Sequence, residues 1–147
     1  MTTVGLDLEQ IRYAVRDQLL TRLDGLASCY SHRVMSPAYP AVTVMPGPMT
    51  YRATMDSSTA LGSMADTQWI LKVETSAADD ISAQIAMDRM LSRGNALSVF
   101  DALAADHTLG GQVNDCTASV TNTPEEDADG HYVAEITIRI LQHTNPN

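Results

Sequence analysis

The sequence predicts an α+β domain: a mainly antiparallel sheet of about five to six strands, with an N-terminal helix and two central helices packed on one face. Three observations carry this. Near the N-terminus apolar residues recur at steps of three and four, the period of a helix. Later stretches alternate apolar and polar residues, the period of a half-buried strand. The helical patterns are bunched together and the strands are joined by hairpin-length links, which favours α+β over a wound parallel sheet.

In the first helix, spanning about 8 to 24, Leu8, Ile11, Val15, Leu19 and Leu23 form one stripe. Asp7 and Gln10 have capping-box spacing, and Gly25 lies at the expected end. Arg12, Arg16 and Asp17 fall on or beside the opposite face. Ser31 to Met35 is a candidate strand, Pro37 and Pro40 flank Tyr39, and Ala41 to Met45 is a second strand. Pro46-Gly47-Pro48 reads as a turn, after which Met49, Tyr51, Ala53 and Met55 alternate with Thr50, Arg52 and Thr54.

Residues 56–66 are mostly small and polar, including Ser57, Ser58, Thr59, Ala60, Leu61, Gly62 and Ser63. They offer little apolar surface to offset the entropy of ordering them, so a long mobile loop is expected. Trp69, Leu71 and Val73 begin the next strand pattern. A second helix is expected to be capped by Ser76, with Asp79 and Asp80 in its first turn, where the helix dipole favours carboxylates. Its expected core side is Ile81, Ile85, Met87 and Leu91, and Arg93-Gly94-Asn95 ends it. A third helix starts at Ser98, with Asp101 completing a capping box and Leu109-Gly110-Gly111 stopping it. Cys116, Ala118 and Val120 mark one closing strand, with Cys116 expected as a buried thiol. Pro124 to Gly130 turns the chain into the other, where Ala134, Ile136, Ile138 and Ile140 share a face. Residues 143–147 are expected to fray.

The 147 residues suit a single domain, which at this size buries roughly 68–70% of its unfolded surface without help from metal or disulfide. The formal charge is −9, from 18 acidic and 9 basic residues, and Lys72 is the only lysine. Tight binding to nucleic acid needs clustered cations, which the sequence lacks. Two cysteines make no disulfide framework, and no apolar run approaches the ~20 residues of a membrane span. No basic, apolar leader is seen at the N-terminus, so expression in a cytoplasm is expected.

A search for chemistry returns no catalytic residue, no cofactor-binding motif and no metal site. Gly110-Gly111 lacks the spacing and lysine of a phosphate loop. Asp106-His107 has no visible partner for acid–base work, and His32, His107, His131 and His143 miss the usual ligand spacings. Cys29 and Cys116 have no evident activating neighbour. Pro37-Ala38-Tyr39-Pro40 has polyproline-ligand spacing but reads better as a stiff lead-in to a strand. Met45, Met49 and Met55 lie close to expected turns and would form an adaptable contact patch if exposed.

The order of features goes further. The opening helix ends in Leu23-Asp24-Gly25-Leu26 and is followed by the Pro-flanked Ser36 to Val42. Later come Arg89-Met90-Leu91-Ser92-Arg93-Gly94, then Ser98-Val99-Phe100-Asp101-Ala102-Leu103, then Leu109-Gly110-Gly111-Gln112-Val113-Asn114-Asp115-Cys116, and finally Tyr132 to Ile138. This resembles the tail terminator proteins of long-tailed, non-contractile phages, especially those of actinobacterial hosts. The most specific part is Ser98 to Asp115. Phe100 and the Ser-rich loop 56–66 depart from the family pattern.

The resemblance implies a structural virion protein at the head-proximal end of the tail, not an enzyme. It implies a homo-oligomeric, six-fold ring that caps the completed tail tube, stops its growth, and meets both the tail tube protein and the head–tail connector. DNA would pass through the lumen without specific binding, as an acidic wall permits. The contact loop would be Ser57 to Ser63. A head-side neck or stopper protein is the alternative from the same particle, and a small enzyme with a site assembled from distant residues is the alternative from another class.

Overall fold

The computed structural model describes residues 8–53, 63–106, 108–109 and 115–144. Helix α1 (Leu8–Leu23) is followed by β1 (Ser28–Tyr30), β2 (Ala41–Ala53), β3 (Ser63–Ala77), α2 (Ile81–Leu91), α3 (Val99–Ala104), β4 (Asp115–Glu126) and β5 (His131–Thr144). The five strands form one sheet in the order β1-β2-β3-β5-β4, antiparallel except for the parallel β1–β2 pair. The fold is α+β, as the sequence predicts.

One face of the sheet carries the core. Trp69, Leu71 and Val73 lie opposite Ile138, Ile136 and Ala134, and Val44 and Val42 continue two of these rows across β2. These side chains are buried with the α1 stripe of Ile11, Val15, Leu19 and Leu23 and with Met87, Met90, Val99 and Leu103 from the other helices. The buried positions of β5 match the sequence pattern, and those of α1 match it except at Leu8, which is only partly buried at the start of the helix. Asp24 and Gly25 take positive φ just past the end of α1. Arg12 departs from its expected place: its guanidinium lies 5.3 Å from the Trp69 ring centre, and its Nη1 donates to the Ser31 carbonyl.

Several local expectations are corrected. Ser31 to Met35 is not a strand; β1 is Ser28–Tyr30, and residues 31–40 instead carry the chain back so that β2 can start alongside Ser28. Pro46-Gly47-Pro48 is not a turn. β2 runs through it, with a shift in register against β3 between Pro46 and Met49. Proline is tolerated because β1 ends at Tyr30, opposite Thr43, so beyond that point β2 is an edge with no neighbour among the described residues demanding an N–H. Gly47 is needed there, since a Cβ would sit 2.8 Å from the Gln68 carbonyl oxygen.

Ser76 does not cap α2. β3 continues to Ala77, which pairs with His131, and Asp80 is the cap, its carboxylate accepting the N–H of Ser82. The core side of α2 is Ala83, Met87 and Met90, while Ile81 and Ile85 are 72% and 46% exposed. The expected set mixed two faces, because residues two apart, such as Ile85 and Met87, diverge by about 200° on a helix.

Ser98 does cap α3, accepting the Asp101 N–H. The Asp101 carboxylate turns outward instead, to Arg93 Nε (2.8 Å) and the Gly94 N–H (2.6 Å). The hydrogen bond from Arg93, and then that from Gly94, hold this carboxyl below its usual pKa. His143 and Thr144, expected to fray, instead pair with Met64 and Ser63, and residues 145–147 lie outside the described residues. Gly110 and Gly111 lie outside the described residues.

Candidate functional site

Most of the candidate contact residues lie outside the described part of the chain. Ser57, Ser58, Thr59, Ala60, Leu61 and Gly62 lie outside the described residues, as does Met55. Ser63 is the first residue of β3 and pairs with both Ala53 and Thr144, so the expected loop cannot extend to residue 66. The connection it belongs to joins the far ends of β2 and β3. Met49 belongs to β2 opposite Thr67, and Met45 is half-buried opposite Ile70, on the face of the sheet away from the helices. Of the three methionines, only the side chain of Met45 is among the described ones.

That second face holds a cleft which sequence reasoning does not find. Residues 31–40 fold over it and bury Thr43 and Glu74, and the resulting cavity of about 270 Å³ is lined by Arg33, Met45, Lys72, Glu74, Asp127 and His131 among others. Tyr39 closes one side: its hydroxyl lies 3.2 Å from His131 Nδ1, and the two rings are 4.8 Å apart. Lys72 Nζ is 3.8 Å from the Glu74 carboxylate. The lining mixes both signs of charge.

At the rim, one ligand atom each from Asp127, Asp129 and His131 lie within 4.8 Å of one another. A hairpin turn accounts for this closeness. Asp127 Oδ1 accepts the N–H groups of Asp129 and His131, the Asp127 N–H donates to the His131 carbonyl, and Gly130 takes positive φ to close the turn. Desolvation acts to raise the Asp127 pKa, but the backbone donors and nearby positive charges outweigh it and leave it lowered. The Asp-x-Asp-x-His spacing is legible in the sequence, yet a turn and a ligand set look the same there.

A wider, open groove of about 480 Å³ runs along the outer side of α1, lined by Tyr13, Asp17, Gln18, Arg22 and Leu109. Gln18 Nε2 donates to the Ala102 carbonyl and ties α1 to α3. Leu109 is buried with positive φ. Asp106 accepts the N–H and hydroxyl of Thr108, a turn role, and His107 lies outside the described residues.

Burial holds both thiols in the protonated form. Burial raises the Cys29 pKa from 9.0 to about 11, with the Arg16 charge opposing it weakly. Burial, then the charges of Asp115 and Asp106, raise Cys116 to about 11. Cys116 is only half-buried, because β4 is an edge strand. The folded state favours the protonated thiols, so their contribution to stability is present below pH 9 and fades as pH rises to about 11. The native protein is expected to react with a thiol reagent at pH 8 far more slowly than the denatured chain; equal rates would refute the burial argument.

No family model and no curated protein matches the sequence. Among solved structures, a chain described as belonging to the virion of a native gene transfer agent particle is similar, with a TM-score of 0.43 and 16% identity over 92% of this chain and 94% of that one. A similarity of that size leaves function to be argued from the chain's own residues.

Proposed function

We propose that this chain is a structural virion protein, the ring-forming tail terminator that caps the completed tube of a long non-contractile phage tail and offers a surface for head–tail joining. The observation that carries this reading is the segment from Ser98 to Asp115. A Ser-capped helix bearing Val99, Ala102 and Leu103 on its buried side leads to Leu109 at positive φ and then into the closing β4–β5 hairpin. That is the succession on which the family resemblance is most specific. The chain's charge suits a ring around DNA, since an acidic lumen lets the duplex slide without gripping it. The connection between Ala53 and Ser63, with Ser57 to Gly62 at its centre, is the contact loop toward tube or connector.

Negative-stain images of the purified protein test the ring: closed particles with a lumen wide enough for duplex DNA support it. Deleting Ser57 to Gly62 leaves Thr54-Met55-Asp56 to join the paired Ala53 and Ser63, a link of hairpin length. This deletion is expected to keep the unfolding transition and to abolish joining of heads to tails in a complementation assay. Full joining by the shortened protein would remove the loop from the contact.

A further inference from the structure

We infer that copies of this chain join head to tail by β-augmentation, with residues 32–35 of one copy adding as a strand to the outer edge of β4 in the next.

The two edges of the sheet are not alike. On one side β1 is three residues long, and beyond it β2 carries Pro46, Pro48 and a register shift, the devices that keep an edge from pairing. On the other side, among the described residues, β4 hydrogen-bonds to β5 alone, and its register is regular from Asp115 to Val120. From Cys116 to Thr123 it has no charged residue and is rich in β-forming side chains, with no lysine or proline until Pro124. Val120 is 40% exposed at this edge. In a chain of charge −9 the stretch Cys116 to Thr123 is uncharged, and from Cys116 to Val120, ahead of the register shifts that follow Val120, it offers a regular edge fit to receive another strand.

The occupant follows from the opposite edge. Residues after β1 have strand-like composition, yet within one copy His32, Arg33, Val34, Met35 and Ser36 are exposed, Met35 completely. Both ends of the segment are tethered, Ser31 through its carbonyl to Arg12 and Ala38 through its N–H to the Tyr30 hydroxyl. Ser36 precedes proline, which biases it toward extended backbone.

Charge selects this pairing over a symmetric one. The segment carries His32 and Arg33 and no acid, whereas acids lie beyond both ends of the β4 stretch, at Asp115 and at Glu125. An antiparallel β4–β4 pairing centred on that stretch would instead bring Asp115 near Glu125 at both ends. Because the segment follows β1 and β4 is the far strand of the sheet, the contact is heterologous and propagates around a ring or along a filament. This joint rests on the self-assembling reading above and deepens it.

The test uses two exposed positions. Sedimentation velocity of the full chain over a range of concentrations should show assembly. Met35→Asp and Ser119→Lys should each raise the apparent dissociation constant by about a hundredfold or more while keeping circular dichroism and melting temperature. Mixed in equal amounts, the two variants should form a one-to-one dimer, since one retains a sound edge and the other a sound segment. A mixture that stays monomeric, a variant that assembles like the parent, or a parent that never assembles overturns the joint. A closed ring indifferent to both substitutions removes the joint but leaves the ring. Open chains broken by both substitutions keep the joint and remove the ring.

Discussion

Ile138→Asp is expected to yield a chain with no cooperative unfolding transition at neutral pH. Ile138 is fully buried in the middle of β5, opposite Trp69 on β3 and Ala118 on β4. The substitution gives up the transfer free energy of a buried isoleucine, about 1.5–3 kcal/mol. It also places a carboxylate where the neighbours are apolar. Whether that group stays ionised or takes a proton at a raised pKa, the cost is several kcal/mol more. Together these reach the ~5–15 kcal/mol that holds a domain of this size. Thr117→Asp is the matched control: Thr117 is exposed on β4 opposite Arg139, so its stability should change by less than about 1 kcal/mol. Circular dichroism melts of the two variants decide it. A normal transition for Ile138→Asp would mean that the faces of β5 are reversed.

The elements legible in the sequence are those in which one local pattern answers to one environment. The α1 stripe and the Ala134 to Ile140 alternation each lie against a single continuous core, so their periodicity survives intact in the structure. Ser98 was legible because capping is a short-range hydrogen bond.

What was not legible depends on distant chain. Pro46 and Pro48 read as a turn unless one knows that β2 has lost its neighbour there, a fact fixed by where β1 stops. Ile81 and Ile85 are as apolar as Met87 and Met90, and only the packing of α2 on β3 decides which pair is buried. Ser31 to Met35 has the composition of a strand but is spent on the return that makes β1 and β2 parallel. The cleft beneath residues 31–40 joins β2, β3 and the β4–β5 turn, and no local motif announces it. Of the contact methionines, Met45 alone can be placed by its side chain, and it faces that cleft.

Trp69→Ala carries the second large effect, and it reaches from the core to the proposed joint. Trp69 is the largest side chain in the core, almost wholly buried, and its loss should cost about 3–5 kcal/mol, lowering the melting temperature by roughly 10 °C. The ring also supports the Arg12 guanidinium at 5.3 Å, and Arg12 in turn holds the Ser31 carbonyl at 3.2 Å, the near end of the exposed segment. Truncation removes that support, so assembly should weaken even at temperatures where the variant remains folded. Trp69→Phe separates the two roles. It keeps an aromatic face for Arg12 and deletes a buried indole N–H that has no hydrogen-bond partner among the described residues. A smaller melting shift with assembly preserved is therefore expected for phenylalanine. Equal loss of assembly in both variants would show that Arg12 does not transmit order from the core to Ser31. Assembly that survives Trp69→Ala at full strength would cut the same link from the other side.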